Sequence, residues 1–549
     1  MYFLKSLTRG QQWLLLGIIC CAAFFRLYHI QGQGFLFWDE GTYMNEAKFY
    51  TSVVHHLPFV IEQVRTGLNL DALQRMLDGW PPSAAKPLHG IFIFIFSLFF
   101  GLHDYTGQLL SALFSLGFLI LFFKMIAQYE SLPVAFLSLF LLAVSPYHIM
   151  FSRSAFPEMD SAFFYLLSLW CYLSACGTDV QKPMRKLFWC GVLFGVTLTT
   201  NFRWFMVAPA FLLFEIIALV GGYHTGTLFD SMKRLVVLFA GTVSVIVLID
   251  VPYYFINKQV TLPPVFGGYQ KEFDTYVLFR VVNFIRHWTF RPLYVNIYLY
   301  FNGYVQTFLV VCGTLIILMK RQKTFLSLIS VVLFFFVFLG ISMERSGTFA
   351  RNFSLVYPFS IFIASYGLWT FVRTLRRKYV RYTVLAGMLI FLGARGVLAS
   401  ERYLFVRSGY RDARDYLVAH NGQKALATTN SVFEFYFGRN VSDHFSSDKD
   451  SFLRDMAKGN FKYLVVDYAQ FTVAANEVRG VYRFLRDRRQ PVAVIDNPMG
   501  RYRELVLENS HYQDYPVDDY RALMSDPQTA QICIYETKGL IEAVHHEYA

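Results

Sequence analysis

Two pairs of neighbouring carboxylates could serve as the base in a group-transfer reaction. Asp39 and Glu40 lie in the run FWDEGTY, and Glu158 and Asp160 lie in the run FPEMD. A carboxylate beside a substrate hydroxyl can accept its proton while the oxygen attacks. The alternative interpretation is that such acids cap the N-terminus of a helix, where negative charge is stabilised, and Asp160 fits that position well.

Five basic residues could hold an anion next to these acids. Arg153, Arg203, Arg345, Arg351 and Lys86 lie in short segments beside apolar runs. Each could reach a lipid headgroup on its own, because a lone cation at a membrane is costly without an anionic partner. As a group they indicate one shared anion such as a lipid phosphate, which arginine binds with a bidentate fork. Such cations stabilise a departing phosphate while a carboxylate deprotonates the incoming hydroxyl.

The composition indicates which elements must position these side chains. Of 549 residues, 55% are hydrophobic, 18% are aromatic and 16% are charged, and the mean hydropathy is +0.38. A soluble protein of this length needs far more polar surface, so the sequence predicts a polytopic α-helical membrane protein. The net charge of +12 could suggest nucleic acid. The cations cluster in short loops between apolar runs, however, so the expected partner is the lipid bilayer and no nucleic acid.

Eleven apolar runs are long enough to form helices of roughly 20 residues, the length that crosses the hydrocarbon core. They start near residues 12, 107, 132, 159, 187, 204, 234, 303, 324, 353 and 382. The run Leu88–Leu102 is shorter, and counting it as a span would move the clusters of Lys and Arg to the outer side. We therefore predict an interfacial helix there, within an external loop of residues 27–106, and a cytoplasmic N-terminus.

A change in composition near residue 400 indicates a second domain. Charged residues are sparse before this point and crowded after it. Apolar runs of strand length alternate there with helical patterns, so a transmembrane module of residues 1–407 is predicted to precede an extracytoplasmic soluble α/β domain of residues 408–549. Its predicted elements are helices at Tyr410–His420, Ser451–Lys458 and Val473–Arg488, and strands at Ala425–Thr428, Phe461–Val466 and Pro491–Ile495. The tail beyond Pro516 is polar and ambiguous.

A further external segment, Tyr253–Phe301, is rich in Tyr, Phe and Trp. Aromatic rings favour the boundary between lipid and water, so the segment is predicted to anchor the protein at the interface. The alternative hypothesis is a mobile cover over a site.

A series of weak motifs runs through the membrane region. They are Trp38-Asp39-Glu40 with Tyr43, Lys86-Pro87, Phe100-Gly101, Ser145-Pro146, Ser152-Arg153, Asp160, Gly195 with Thr199-Thr200-Asn201, and Arg351-Asn352 with Pro358. In order, spacing and common side of the membrane, these motifs resemble those of the lipid-phosphate-sugar-dependent glycosyltransferases of the GT-C fold. The motifs resemble especially those of the protein O-mannosyltransferase and aminoarabinose (lipid A) transferase group.

This resemblance implies roles for individual residues. Asp39 resembles the catalytic base of the family, Glu40 stands beside it as a further catalytic candidate, and Asp160 resembles the second acid of the pocket. Lys86 and Arg351 resemble groups near the lipid phosphate. The remaining candidates for donor binding are Tyr43, Arg153, Arg203 and Arg345.

The chain departs from the family pattern at two places. The family has Thr-Lys where this chain has Thr200-Asn201, and Arg203 is expected to supply the missing cation. Ala85 replaces an acidic residue that often precedes the Lys-Pro pair, and Leu88 replaces a second proline, which counts against the metal held by some relatives. No spacing of His residues is typical of metal ligands. A divalent metal is therefore conceivable but unsupported by a motif, and no cofactor is expected.

The sequence favours an inverting glycosyltransferase that moves a sugar from a polyprenyl-phosphate donor to a glycan, glycolipid or protein acceptor. The resemblance implies that this happens at the outer face of a bacterial plasma membrane. Two other classes stay open. A transporter or flippase for lipid-linked or anionic solutes predicts inverted repeats or interrupted helices, which the sequence pattern does not suggest. A non-catalytic envelope receptor should lose its ligand without residues 408–549, whereas a transferase should keep its donor pocket.

Overall fold

The computed structural model describes most of the chain. The described residues are 7–66, 76–79, 87–176, 182–223, 227–259, 292–320, 324–342, 350–422, 424–438, 441–443, 456, 461–468, 476–497, 530–540 and 542. Lys86 and Arg345 lie outside these residues, as do the centre of the predicted aromatic segment and all but Met456 of the predicted helix Ser451–Lys458.

Helices dominate the region up to residue 405, because a chain in lipid must satisfy its backbone hydrogen bonds internally. They are α1 (Arg9–Leu27), α2 (Trp38–His55), α3 (Leu57–Thr66), α4 (Pro87–Phe100), α5 (Thr106–Tyr129), α6 (Leu132–Ala143), α7 (Pro146–Ser152), α8 (Glu158–Ala175), α9 (Pro183–Thr200), α10 (Ala208–Val220), α11 (Leu228–Gln259), α12 (Pro292–Met319), α13 (Phe325–Ser342), α14 (Tyr357–Thr374) and α15 (Lys378–Phe405). A single helical turn, Ile30–Gln33, precedes α2, and 3-10 helices at Phe202–Val207 and Ala350–Leu355 precede α10 and α14.

These helices make the chain a multi-pass membrane protein. Within the described residues, six helices are long and apolar enough to cross a membrane, or seven if the bent pair α6 and α7 forms one span. A helix lies at each of the eleven positions predicted from the sequence. Among the helices at these positions, those beyond the six or seven do not reach that length and apolarity within the described residues. The number of eleven spans therefore stays a prediction.

The helix α4 lies where an interfacial helix was expected. Its 14 residues extend about 21 Å at 1.5 Å per residue, short of the roughly 30 Å hydrocarbon core. The helix α2 begins after Phe37, whose backbone is extended, and Asp39 and Glu40 lie in its first turn. The segment between α1 and α5 therefore presents two acids at the start of one helix.

Pro146 bends the third predicted span. The helix α6 ends at Ala143, and Ser145 caps α7 by accepting a hydrogen bond from the His148 N–H at 3.3 Å. The axes of α6 and α7 differ by 62°. After this bend, residues 153–157 connect α7 to the start of α8.

The predicted aromatic segment Tyr253–Phe301 is partly helical, which corrects its expected bounds. The helix α11 continues to Gln259 and α12 begins at Pro292. Inside α12, Gly303 has a φ of 70°, a conformation that glycine adopts without strain. Arg395 donates to the carbonyls of Tyr300 and Phe301 beside this break, both at 3.2 Å.

A five-stranded mixed sheet lies in the C-terminal region. Its strands are β1 (Ala425–Ala427), β2 (Val441–Asp443), β3 (Tyr463–Asp467), β4 (Ala493–Asp496) and β5 (Gln531–Glu536), in the order β2-β1-β3-β5-β4. β1 pairs in parallel with β2 and β3, and β5 pairs antiparallel with β3 and β4. The helices of this region are α16 (Gly409–Ala419), α17 (Asn430–Phe437) and α18 (Asn476–Arg488).

The sequence patterns located β1, β3, β4, α16 and α18 to within a few residues. They missed β2, which has only three residues, and α17. They also missed β5 in the tail beyond Pro516, where a short apolar run is flanked by polar residues. Because β5 lies between β3 and β4, the tail is part of the sheet.

The C-terminal region packs directly on α2. A Cβ added at Gly41 would lie 2.6 Å from the carbonyl carbon of Ser431 on α17. One turn further along α2, the Asn45 amide donates to the Ser431 carbonyl at 2.7 Å. The helix that carries Asp39 is thus supported by α17 through a close backbone contact.

Candidate active site

An ion pair joins the start of α2 to the 3-10 helix before α14. Arg351 Nη1 donates to Asp39 Oδ2 at 2.8 Å. The Arg351 side chain is only 6% exposed, whereas that of Asp39 is 20% exposed and stays accessible. The first turn of a helix stabilises a carboxylate through the helix dipole. The structure therefore brings together the predicted base and a predicted phosphate-binding arginine, 312 positions apart in the chain.

Aromatic side chains hold Arg351 in place. Its guanidinium carbon lies 5.2 Å from the centre of the Phe156 ring, a distance typical of a cation–π contact. The Phe156 ring in turn packs on Phe37, with ring centres 4.7 Å apart. The Tyr147 hydroxyl donates to the Arg351 carbonyl at 3.3 Å. The position of the guanidinium thus depends on residues of α7 and of the connection to α8.

A second acid and a second arginine lie at the start of α8. Arg203 Nη1 is 3.9 Å from Glu158 Oε1, and the Asn201 amide donates to the same oxygen at 3.3 Å. The indole N–H of Trp204 donates to the Ser161 hydroxyl at 2.8 Å, which holds the 3-10 helix against α8. Arg203, expected to replace a family lysine, is therefore placed beside a carboxylate of the second acidic run.

Tyr43 interacts electrostatically with both pairs. It lies one turn after Asp39 on α2 and is buried. Burial raises the pKa of Tyr43 well above its usual value; the charges of Asp39 and Glu158 also raise it, while Arg351 and Arg203 lower it. The phenol therefore stays protonated and can donate a hydrogen bond.

Glu40 is buried and faces the protein's own backbone. Its Oε1 accepts from the Ala155 N–H at 2.9 Å, and its Oε2 accepts from the Leu36 N–H at 2.7 Å and the Gln108 amide at 3.2 Å. Burial raises the pKa of Glu40 to about 8, although the hydrogen bonds from Leu36 and Ala155 act in the opposite direction. With both oxygens occupied, its contacts favour a structural role over the catalytic role predicted from the sequence.

Asp160 is also engaged within the protein. Its Oδ2 lies 2.7 Å from His89 Nδ1 on α4, and its Oδ1 accepts from the Ser161 N–H at 2.9 Å. These contacts direct the carboxylate towards α4 rather than towards an open pocket, which favours a supporting role over the predicted catalytic one. No motif pointed to His89. The signal that could have found it is an ionisable residue within an otherwise apolar helix.

The contacts of Arg153 are with backbone carbonyls rather than with the acids of the candidate site. Its guanidinium donates to the backbone carbonyls of Phe25, Arg26, Tyr28 and Tyr403 at 3.3, 3.3, 2.8 and 3.1 Å. It is fully buried. Arg153 thus ties the end of α1 to α15, and this structural position corrects its predicted role in donor binding.

Two further donor-binding candidates, Lys86 and Arg345, lie outside the described residues, so their roles stay predictions. In the part of the chain that the structure describes, no group of three or more His, Cys, Asp or Glu side chains could hold a metal ion. The charged groups of the candidate site are Asp39, Arg351, Glu158 and Arg203, with the hydroxyl of Tyr43.

Known proteins share this architecture. Residues 82–250 match the family of dolichyl-phosphate-mannose-protein mannosyltransferases, and no curated protein sequence is significantly similar to the chain. The archaeal oligosaccharyltransferase AglB from Archaeoglobus fulgidus superposes with a TM-score of 0.57 at 11% identity, over 84% of this chain and 70% of that one. ArnT from Cupriavidus metallidurans gives a TM-score of 0.54 at 14% identity, over 88% of this chain and 96% of that one. The chain has the GT-C fold of these glycosyltransferases.

The region matched by the family contains Arg203 and both acids of the second run, but neither Asp39 nor Arg351. Structural similarity at such low identity shows the fold rather than the substrates. The superpositions extend over more than four fifths of the chain. The Asp39–Arg351 pair is therefore an observation on this chain itself.

Proposed function

We propose that this chain of GT-C fold is a glycosyltransferase that moves a sugar from a polyprenyl-phosphate donor to an acceptor hydroxyl, with inversion, on the extracytoplasmic side of the membrane. The observation that carries the proposal is the accessible Asp39 carboxylate held 2.8 Å from the Arg351 guanidinium. One group can accept a proton and the other can bind phosphate, as the reaction requires. The AglB and ArnT structures, which contain a dolichol-phosphate and undecaprenyl phosphate, support this class of donor.

In the proposed reaction, the acceptor oxygen attacks the anomeric carbon from the face opposite the phosphate. Asp39 takes the hydroxyl proton as the new glycosidic bond forms. The bond between the anomeric carbon and the phosphate oxygen breaks, and its electron pair leaves with the polyprenyl phosphate. Arg351 and Arg203 stabilise this phosphate, with Lys86 and Arg345 as further predicted cations. A phosphate carries the charge well, so the leaving group needs no protein acid.

The ion pair prepares the site before the donor arrives. A guanidinium has five N–H donors in one plane, so Arg351 can keep its contact with Asp39 while other N–H groups bind a phosphate oxygen. Bringing base and phosphate together in this way places the acceptor hydroxyl near the anomeric carbon. Orientation of this kind contributes several kcal/mol to lowering a barrier.

The arrangement across the membrane is part of the same proposal. Eleven spans with a cytoplasmic N-terminus place α2, the start of α8 and residues 408–549 on the outer side of a bacterial plasma membrane. The distribution of Lys and Arg in the loops supports this orientation. The acceptor is proposed to be a glycan, glycolipid or protein hydroxyl.

The decisive experiment is Asp39→Asn in the full chain, purified in lipid nanodiscs. A panel of synthetic polyprenyl-phosphate sugars is offered, and release of polyprenyl phosphate is measured. Loss of a general base lowers turnover by about 100-fold or more, whereas thermal unfolding and the binding of farnesyl phosphate should stay near the wild-type values. Glu62→Gln, at an exposed carboxylate of α3, is the matched control and should be fully active.

Two outcomes would count against the enzyme. Full turnover of Asp39→Asn on a donor that the wild type uses would remove Asp39 from the role of base. Movement of a lipid-linked sugar between leaflets, undiminished in Asp39→Asn and without release of polyprenyl phosphate, would favour a flippase.

A further inference from the structure

The peptide group of Ala155 is held from both sides by buried side chains. Its N–H donates to Glu40 Oε1 at 2.9 Å, and its carbonyl oxygen lies 3.0 Å from His89 Nε2. Glu40 comes from α2 and His89 from α4, and both are fully buried. The connection between α7 and α8 is therefore tied to two external helices through a single residue.

The partners of His89 determine how its imidazole is oriented. A carbonyl oxygen only accepts hydrogen bonds, so Nε2 carries a hydrogen and donates it to Ala155. On the other side of the ring, Nδ1 lies 2.7 Å from Asp160 Oδ2. The Tyr43 ring packs edge-on against the imidazole, with ring centres 4.9 Å apart. Asp160 thus fixes the ring that holds the Ala155 carbonyl.

The chain neighbours of Ala155 and Glu40 reach the two members of the ion pair. Phe156, which follows Ala155, packs under the Arg351 guanidinium at 5.2 Å. Glu40 directly follows Asp39 in the first turn of α2. A shift of the Ala155 peptide would move Phe156, and with it the surface on which Arg351 rests. We name Glu40, His89, Asp160 and the Ala155 peptide the Ala155 clamp.

We propose that the Ala155 clamp positions Arg351 against Asp39, so that Glu40, His89 and Asp160 are positioning residues for phosphate binding and proton transfer. The inference rests on the proposed function and adds His89, which no motif indicates. It also explains why two acids of the motif series are buried and hydrogen-bonded: they act through the ion pair and touch no substrate. A displacement of about 1 Å at a transfer site can cost on the order of 100-fold in rate.

Two substitutions of His89 each keep one of its hydrogen bonds. In His89→Gln, the amide nitrogen lies near the place of Nε2 and can still donate to Ala155. In His89→Asn, it lies near the place of Nδ1 and faces Asp160 only. The full chain in nanodiscs is titrated with farnesyl phosphate. We expect His89→Asn to raise the Kd about tenfold and His89→Gln to raise it less than about threefold. His103→Gln, at an exposed histidine outside the clamp, should leave the Kd unchanged.

A double-mutant cycle with Arg351→Ala distinguishes positioning from a general loss of structure. If the clamp acts through Arg351, adding His89→Asn to Arg351→Ala should not weaken binding further, because coupled sites are non-additive. Fully additive losses, or an unchanged Kd in a folded His89→Asn protein, would overturn the clamp. If His89→Asn does not fold, Glu40→Gln is used in its place. Its amide NH2 would face a backbone N–H that now donates to a carboxylate oxygen of Glu40, so one hydrogen bond of the clamp is lost.

The Kd values of the variants distinguish an error in the clamp proposal from an error in the proposed function. When Arg351→Ala raises the Kd for farnesyl phosphate and the His89 variants do not, only the clamp is wrong. When Arg351→Ala itself leaves the Kd unchanged, the proposed phosphate site is contradicted, and so is the proposed role of the clamp.

Discussion

At the scale of single residues, the Arg351 guanidinium is held by an aromatic ring and by the carboxylate of Asp39. The guanidinium lies against one face of the Phe156 ring and donates to Asp39. Its planar fork suits a phosphate better than the point charge of a lysine ammonium does. The neighbouring Arg203 is 3.9 Å from its acid, so the two arginines differ in how firmly a carboxylate holds them.

Arg351→Ala should weaken farnesyl phosphate binding by about ten- to a hundredfold, because charge-assisted hydrogen bonds to the phosphate are lost. Arg351→Lys keeps the charge but not the fork, and we expect an intermediate Kd. The measurement is a titration of each purified variant in nanodiscs. Arg407→Ala, at an arginine whose side chain is 59% exposed, serves as the control. Equal affinities for the alanine, lysine and wild-type proteins would contradict a phosphate contact at Arg351.

At the scale of elements, α4 is tied to α8 by the imidazole of His89 and the carboxylate of Asp160. Burial lowers the pKa of His89, but the charge of Asp160 and the hydrogen bonds to Asp160 and Ala155 outweigh it, and the net pKa is raised. Glu46 on α2 adds to this increase. The folded protein therefore holds the proton on His89 more tightly than the unfolded chain does.

This shift predicts a pH dependence of stability. Because the folded pKa is raised, the contribution of His89 is fully present below its ordinary pKa of about 6.5 and is lost as the pH rises through the higher folded value. The difference in thermal stability between wild type and His89→Gln should therefore be largest at acidic pH and shrink at alkaline pH. Unfolding curves of both proteins across this range provide the measurement. A stability difference between the two proteins that grows with pH would show that the pKa of His89 is not raised by folding.

At the scale of the whole molecule, the C-terminal region supports the helix that carries the proposed base. The contact between Gly41 and Ser431 joins α2 to α17, and the Asp104 carboxylate accepts two hydrogen bonds from Arg411 of α16 at 2.9 and 2.6 Å. Removing residues 408–549 would uncover one side of α2. Truncation therefore does not cleanly separate a receptor from a transferase, and point substitutions in this contact are the better test.

Gly41→Val should destabilise the protein by about 1–3 kcal/mol, because its Cβ would lie 2.6 Å from backbone atoms that cannot easily move. The better helix propensity of a residue with a side chain offsets less than about 1 kcal/mol of this. Gly387→Ala on α15, where nothing lies within 4 Å of the added Cβ, is the control and should be neutral or stabilising. Thermal unfolding and farnesyl phosphate titration report stability and site geometry separately. Wild-type values in both for Gly41→Val would show that α17 does not support α2.

The sequence by itself determined the membrane class, the positions of the long apolar helices and the short α4. Each of these follows from a local run of apolar residues, since a segment in lipid must satisfy its own backbone and span a fixed thickness. The motif series also indicated Asp39 and Arg351, and its departure from the family pattern indicated Arg203, among a larger group of candidates that included Arg153 and Asp160. The short, polar-flanked β5 escaped prediction because a strand is stabilised mainly by its partners, here β3 and β4.

Only the tertiary structure decided which charged residues face one another. Asp39 and Glu40 are neighbours in one helical turn, yet one meets Arg351 and stays accessible while the other is buried against the Ala155 backbone. Arg153 looked like the other arginines in sequence, but its donors meet carbonyl oxygens of distant segments. These outcomes depend on contacts between residues more than a hundred positions apart, and no local pattern of residue types encodes such contacts.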